Sequence, residues 1–488
     1  MKVPYYKHNA WGLVLTVTLL FGTSACHENL LDPVPVTSIS EATAFSTPAK
    51  VLAQVNGLYG QFSSPSFYGG RYLIFNEQRG NEFSQNDGNN STGANVWNQS
   101  ITGSGDFVNA VWNAAYSTIN SANILIDRLD PSFSVVEDAV RRSYVAEAKF
   151  IRAFSYFSLV QTYASPYVQK PTVAALPLRL SGETSGGNND FVFSTVTDVY
   201  NQIIQDLNEA EADLPATYGT ALLNVARARK ATAIALKTRV YLAQGNYTKV
   251  VEEAAKLVPT TPPYQYTSGS LTHRLEPNLT TLFNGSYIGN EAIFTIPFLI
   301  PTEAPALQSA LASNYLTPVI YLNPQGIVTD PVFSSETSTD ARKNLVITNT
   351  SGQKLLRKFP KNSAPFTDYI PVVRYAEVLL NYAEAAAQTN DLPRALALLQ
   401  AVRNRSDATF TFATGVNSRE ELIQTIRNER RIELLGEGFR THDLFRTNSP
   451  LPAKVGNAGT APAIAPTAPN YVWPIPSGEL AYNKLAPR

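Results

Sequence analysis

The sequence has a single cysteine, Cys26, in 488 residues, so neither an intrachain disulfide nor a multi-cysteine metal site can form. Histidine is also scarce. Of four, His8 and His27 lie near the start, and only His273 and His442 remain for the body. No HExxH, no paired histidines and no Gly-x-Ser-x-Gly occur, and the "GEGFRT" stretch lacks the lysine and preceding strand of a phosphate-binding loop. Neither a metal nor a cofactor is expected. Net charge is missing as well: Lys plus Arg is 39, Asp plus Glu is 39, and charged residues make up only 16%. Such a chain has no global pull toward nucleic acid or anionic headgroups. Its surface is filled by Asn, Ser and Thr, which hydrogen-bond neutral ligands better than they attract ions. After the first 25 residues, no apolar run approaches the ~20 residues of a membrane helix.

The N-terminus explains the lone cysteine. Lys2 and Lys7 precede the short apolar run Trp11 to Phe21, and "TSAC" (Thr23 to Cys26) follows. This is the layout of a secretory signal, with an apolar segment too short to remain as a membrane span. It looks like a bacterial lipobox. Residues 1–25 are therefore expected to be a lipoprotein signal peptide, with Cys26 lipidated and tethering the body to a membrane. The plainer alternative is an ordinary cleaved signal with an incidental cysteine.

Periodicity predicts a mainly α fold. Thr47-Pro48 is a helix start, and "DFVNAVWNAAYSTINSANILIDRLD" is a helix closed by Pro131. In the next helix Ala146, Phe150, Phe154 and Phe157 form one stripe, widened by Ala148 and Ile151, as in a helix packed between neighbours. "STVTDVYNQIIQDLNEAEADLP" starts at Ser194 or Thr195 and stops at Leu214-Pro215. Two segments resemble tetratricopeptide (TPR) helix hairpins. One turns at Gly245-Asn246 and the other at Asn390-Asp391, with Leu392 in place of Tyr247 and Arg394 in place of Lys249. They are far apart in the chain, so no tandem array is expected. The predicted architecture is a TPR-like helical hairpin frame with long irregular loop insertions and a few short strands, in one domain from 26 to 488. Its parts are an N-terminal helical region 26–258 carrying a polar loop insertion 63–105, an irregular insertion 259–371, a helical region 372–446 and a Pro-rich tail 447–488. "NEAIFTIPF" and "NLVITN" are predicted strands. Insertions of this length in a compact domain are usually functional.

The most charge-dense stretch is "IRNERRIELLGEGFRTHDLFR", Ile426 to Arg446. Glu433, His442 and Asp443 could form an acid–base site. However, Glu429, Glu433 and Glu437 share one helical face, and Arg430 lies in line with Ile423, Ile426 and Leu434. An arginine in an apolar stripe must be paired, and the stretch can neutralise itself. A structural clasp of Glu429, Arg430, Glu433, Arg440 and Asp443 is the favoured reading.

Six segments occur in order: "TINSANILIDRLD", "AEAKFIRAFSYFSLVQTYA", "VYNQIIQDLNEAEADLP", "VRYAEVLLNYAEAAAQ", the charged stretch just described, and "YVWPIPSGEL". Together they resemble the SusD/RagB family of Bacteroidota nutrient-uptake lipoproteins. The resemblance implies a non-enzymatic outer-membrane lipoprotein facing the cell exterior. Such a protein captures a nutrient, often an oligosaccharide, and delivers it to a SusC-like TonB-dependent transporter. Family members bind through aromatic platforms in the irregular insertions. A sugar has an apolar C–H face and a hydroxyl rim, so its site needs an exposed ring beside amides, arginine or acids. Trp97 with Asn98 fits, if its ring is not tucked against the frame, and Arg79 and Asn81 lie close in sequence. Tyr264, Tyr287, Tyr315 and Tyr321 are the candidates of the second insertion. Trp112, in helical phase with Tyr116 and Ile119, reads as core. Peptide capture within the same family and a TPR-type scaffold for protein tails are the alternatives. Distant paired carboxylates of a glycoside hydrolase leave no local sequence signature.

Overall fold

A computed structural model describes residues 41–187, 189–269, 271–412 and 418–487. Cys26 and the segment 1–25 therefore lie outside the described residues. The longer helices are α1 (Pro48–Phe62), α2 (Arg71–Arg79), α3 (Asp106–Arg128), α4 (Asp138–Tyr163), α5 (Val196–Asp213), α6 (Lys230–Gln244) and α7 (Tyr247–Ala254). After a long excursion come α8 (Tyr375–Gln388), α9 (Leu392–Ser406), α10 (Arg419–Glu433), α11 (Arg440–Arg446) and the short α12 (Ser477–Tyr482).

Local chemistry sets the helix starts. The Thr47 hydroxyl accepts the Lys50 N–H, with Pro48 in the first turn. Thr195, and not Ser194, caps α5 in a reciprocal box with Asp198. The two hairpin turns are the same device twice. Gly245 (φ 71°) and Asn390 (φ 69°) take the left-handed conformation, and the next residues, Asn246 and Asp391, cap α7 and α9. Their equivalence in the sequence thus reflects equivalent turn chemistry.

The predicted stripe of α4 is wholly buried, because α3 packs on one side and α5 on the other. The layering continues with α5 on α6, α6 on α7, α7 on α8, and α8 on both α9 and α10. The two hairpins, distant in sequence, are direct neighbours in space. Arg239 on α6 forks onto Glu377 on α8 at 2.6 Å, and the Asn381 amide donates to the Thr238 hydroxyl at 2.9 Å. The frame is a continuous helical stack from which residues 255–374 bulge out and return.

The bulge is closed by a ribbon. β2 (Ala292–Ile296) pairs antiparallel with β6 (Ile370–Arg374), which runs straight into α8 and places Arg374 opposite Ala292. β4 (Val346–Thr348) pairs with β5 (Lys354–Leu356). "NEAIFTIPF" and "NLVITN" supply β2 and β4, as predicted.

The segment 63–105 departs from its expected character. Its Gly, Asn and polar residues suggested a surface loop, too polar for core. The structure instead forms α2 there, with Asn76, Glu77, Gln78 and Arg79 all buried. β1 (Phe83–Gln85) also pairs with β3 (Ile320–Leu322), stitching the two insertions together. Polarity misled because these groups bond to each other and to the tail: Gln78 to Gln85 and the Thr92 carbonyl, and Arg79 to the Asn470 and Tyr471 carbonyls. A polar residue is tolerated inside when its partners are supplied. The tail docks alongside. The Trp473 backbone N–H donates to the Thr162 carbonyl at the end of α4, and its ring lies 5.8 Å from Phe75.

Candidate functional site

The charged stretch is a buried ion-pair lattice. α10 ends at Glu433, so Glu437 does not continue its helical face but sits in the turn between Gly436 and Gly438. Arg342 forks onto Asp340 and reaches Glu429 at 2.6 Å and Glu433 at 2.9 Å. Arg374 contacts Glu291, Glu433 and Glu437 at 2.6–2.8 Å, Arg405 joins Glu291 and Glu433, and Lys358 meets Glu437 at 2.6 Å. Arg430 forks onto Asp443 and donates to the Asn381 amide oxygen. Arg446 pairs with Asp443 and Glu384. Arg440 contacts Asn81 and Glu82, and the Gly438 N–H donates to Glu77. The stretch therefore binds both insertions to the frame.

Its electrostatics disfavour proton transfer. Burial opposes ionisation of Glu433, but Arg405, Arg374 and Arg342 outweigh it and hold the carboxyl well below its usual range. Asp443 is only slightly exposed, yet Arg430 and Arg446 depress it strongly. Burial pushes His442 down to about 4, leaving a neutral ring whose Nε2 lies 3.1 Å from the Tyr72 hydroxyl. The cavity beside His442 and Asp443 measures about 30 Å³, room for water and not for a substrate.

The aromatic candidates are pins, not platforms. Trp97 is 1% exposed, its indole N–H donates to the Phe83 carbonyl at 3.0 Å, and the Lys454 ammonium lies 5.4 Å over its ring. No face is left for a sugar. Tyr315 is stacked 5.0 Å from Phe83 and donates to the Gly436 carbonyl; Tyr321 donates to Asn457. Tyr287 is buried against Phe283, and Tyr264 lies under the Arg394 guanidinium at 4.9 Å. Arg79 is buried and clamps the tail, and burial lowers it to about 9. Asn81 is occupied by Arg440, and the Asn98 oxygen accepts from Ser100. These rings and polar groups fail as ligand residues for one reason. The insertions interleave with the frame, so their aromatics are drawn into the core, where Trp97 and Tyr315 donate to backbone carbonyls.

What the insertions build instead is a cleft of about 540 Å³ between α2, the turn after β1, the start of α3 and the loop before residue 310. Arg71, Asn95, Asp106, Phe107 and Gln308 line it. Arg71 is its anchor. Gly70, at φ 152°, lies so near the Ser309 carbonyl that a Cβ would sit 1.7 Å from the oxygen, so only glycine brings this loop to the head of α2. Arg71 then donates to Ser309 Oγ at 3.1 Å and to Gln308 Oε1 at 3.0 Å, with its guanidinium 4.6 Å over the Phe107 ring. Half-burial lowers its pKa. Among the described residues no carboxylate lies within ion-pair distance, so its remaining donors face the cleft unspent. Cation, stacked ring, two amides and the Asp106 carboxylate make a rim suited to hydroxyl pairs. Trp97 serves this site indirectly, as the buried support of the Asn90–Trp97 wall.

Sequence reasoning named Trp97 and Asn98 nearby but passed over Arg71, Phe107 and Gln308. One signal was present. Arg71 occupies the first position of a helix, where the macrodipole disfavours a cation, so something other than helix stability holds it there.

Comparison with known proteins agrees with this architecture. Residues 334–485 match the family model described as SusD family, and residues 32–242 match one described as starch-binding, associating with outer membrane. SusD-like protein P2 of Formosa agariphila is 26% identical over 98% of each chain. A solved SusD-like protein described as laminarin-binding shares the fold at 21% identity, with a TM-score of 0.68 over 90% of this chain and 98% of its own. A solved SusD superfamily protein from Bacteroides fragilis is 30% identical, with a TM-score of 0.81 over 91% of this chain and 100% of its own. With the hairpin frame, its insertions and its tail matched from end to end, the chain belongs to the SusD family.

Proposed function

We propose that the protein is a lipid-anchored receptor on the outer face of the outer membrane. It binds a neutral oligosaccharide in the Arg71–Phe107 cleft and hands it to a SusC-like TonB-dependent transporter. The observation that carries this reading is a half-buried arginine without a carboxylate partner, stacked on a ring and flanked by amides, in a cleft open to solvent. The family description, starch-binding at the outer membrane, and the laminarin-binding neighbour support it. Catalysis has no place in the scheme, because the carboxylates of the charged stretch are committed to arginines. Leu299, Ile300 and Leu307, in the segment that leads to Gln308, are exposed, and we assign these apolar side chains to the surface the transporter covers. Cys26 supplies the anchor.

The test is calorimetry of the soluble body against neutral α- and β-glucan oligosaccharides, with a peptide mixture run beside them. Saturable glycan binding is expected. Binding of peptides alone would replace the glycan reading with peptide capture.

A further inference from the structure

The cleft does not end at α3. Across the helix lies a second trough, made of two contiguous hollows of about 320 and 420 Å³ that share Trp112, Asn113 and Glu479. Its floor is α3 and its far wall is α12. At its outer edge Tyr482 is 75% exposed, the most exposed large apolar side chain among the described residues. The floor carries Asn109, Asn113, Tyr116 and Asn120 along one face, at helical spacing. Asn120 is engaged with the Glu183 backbone, and Asn109 with the Gly103 and Gly105 carbonyls. Asn113 is exposed and makes no hydrogen bond among the described residues, so its whole amide is open to the trough.

Ala110 lines the cleft and Asn113 lines the trough. They stand three residues apart, hence side by side on the helix surface, at about 5–6 Å between Cβ atoms. Asp106 and Asn109 repeat this relation one turn earlier. Cleft and trough therefore border neighbouring positions of α3, in the layout of a belt across the helix. The belt has an arginine-backed ring at one end and an exposed tyrosine at the other, with free amide between.

We infer that this belt holds one long oligosaccharide. Its terminal residues sit in the Arg71 cleft, and its distal residues run past Asn113 to stack on Tyr482. The inference rests on the glycan reading of the cleft and extends it from a single subsite to a preference for chain length. Long chains gain the second set of contacts, and short ones do not reach them.

The test compares laminaritriose and laminariheptaose, and maltotriose and maltoheptaose, by calorimetry on wild type, Arg71→Ala and the double variant Asn113→Ala, Tyr482→Ala. Both groove residues are exposed, so the double variant should melt with wild type. For whichever series binds, Arg71→Ala should weaken triose and heptaose alike. The double variant should weaken the heptaose about tenfold and leave the triose unchanged. Heptaose affinity equal to wild type in the double variant, or an equal loss for triose and heptaose, would overturn the extended belt while leaving the cleft in place. If wild type binds none of the four sugars, the glycan reading falls and the belt falls with it.

Discussion

Arg430 shows most clearly how a residue reads one way in sequence and finds its meaning in three dimensions. Its phase among Ile423, Ile426 and Leu434 shows that it is buried, and burial shows that it is paired. What the phase does not reveal is that its partners are Asp443 and Asn381, on two other helices. Arg430→Ala leaves the Asn381 oxygen without its donor and Asp443 with Arg446 alone, so stability should fall by about 3–5 kcal/mol in chemical denaturation. Ligand affinity of the folded fraction should be unchanged, and a variant of native stability with collapsed binding would contradict the clasp. Trp97 is the opposite case. An aromatic among asparagines reads equally as platform or pin, because composition carries no depth. Trp97→Phe keeps most of the ring but orphans the Phe83 carbonyl. The expected cost is about 1–3 kcal/mol, with sugar affinity held, and a selective loss of affinity would restore the platform. Glu77 gives a pH signature. Burial raises its carboxyl to about 8, while its unfolded value is about 4.3. The folded state therefore retains a proton that the unfolded chain has released. This contribution is fully present below about pH 4 and is lost as pH rises through about 8. Between pH 6.5 and 8.5 the unfolding free energy should fall by about 1–2 kcal/mol from this group. Glu77→Gln should flatten that slope, and an identical slope in the variant would exclude Glu77 as its source.

At the level of elements, legibility followed regularity. The α6–α7 and α8–α9 hairpins were readable because small residues, a left-handed turn and a cap recur at matched positions, and these are local signals. α2 was missed because its sequence, "RYLIFNEQR", is short and as polar as its surroundings. It is helical because Gly70 admits the loop before residue 310 to its head and because the tail and the charged stretch supply partners to Arg79 and Glu77. Those partners come from more than two hundred residues away, and nothing local announces them. Gly70→Ala should accordingly act on the element rather than on one contact. The new Cβ collides with the Ser309 carbonyl, so amides of α2 and of residues 301–310 should exchange hydrogen faster, and sugar affinity should drop with them. Unchanged exchange would show that the close approach is not what holds the wall.

Over the whole molecule, two insertions and a tail that look like decoration in sequence are knitted to one another by β1–β3 and to the frame by β2–β6 and the ion-pair lattice. The helical frame was legible throughout. The proposed ligand cleft was not, since its wall, floor and anchor come from three separated segments whose meeting depends on buried polar pairing. The proposed receptor has a simple logic: the frame and the lattice are packed and paired, and in the cleft an arginine is stacked and positioned without a carboxylate partner. The measurement that bears most directly on this is a calorimetric titration of wild type and Arg71→Ala with the glucan oligosaccharide that wild type binds, alongside their melting curves. The account predicts a loss of at least tenfold in affinity with a melting temperature near wild type. Unaltered affinity in Arg71→Ala would contradict it.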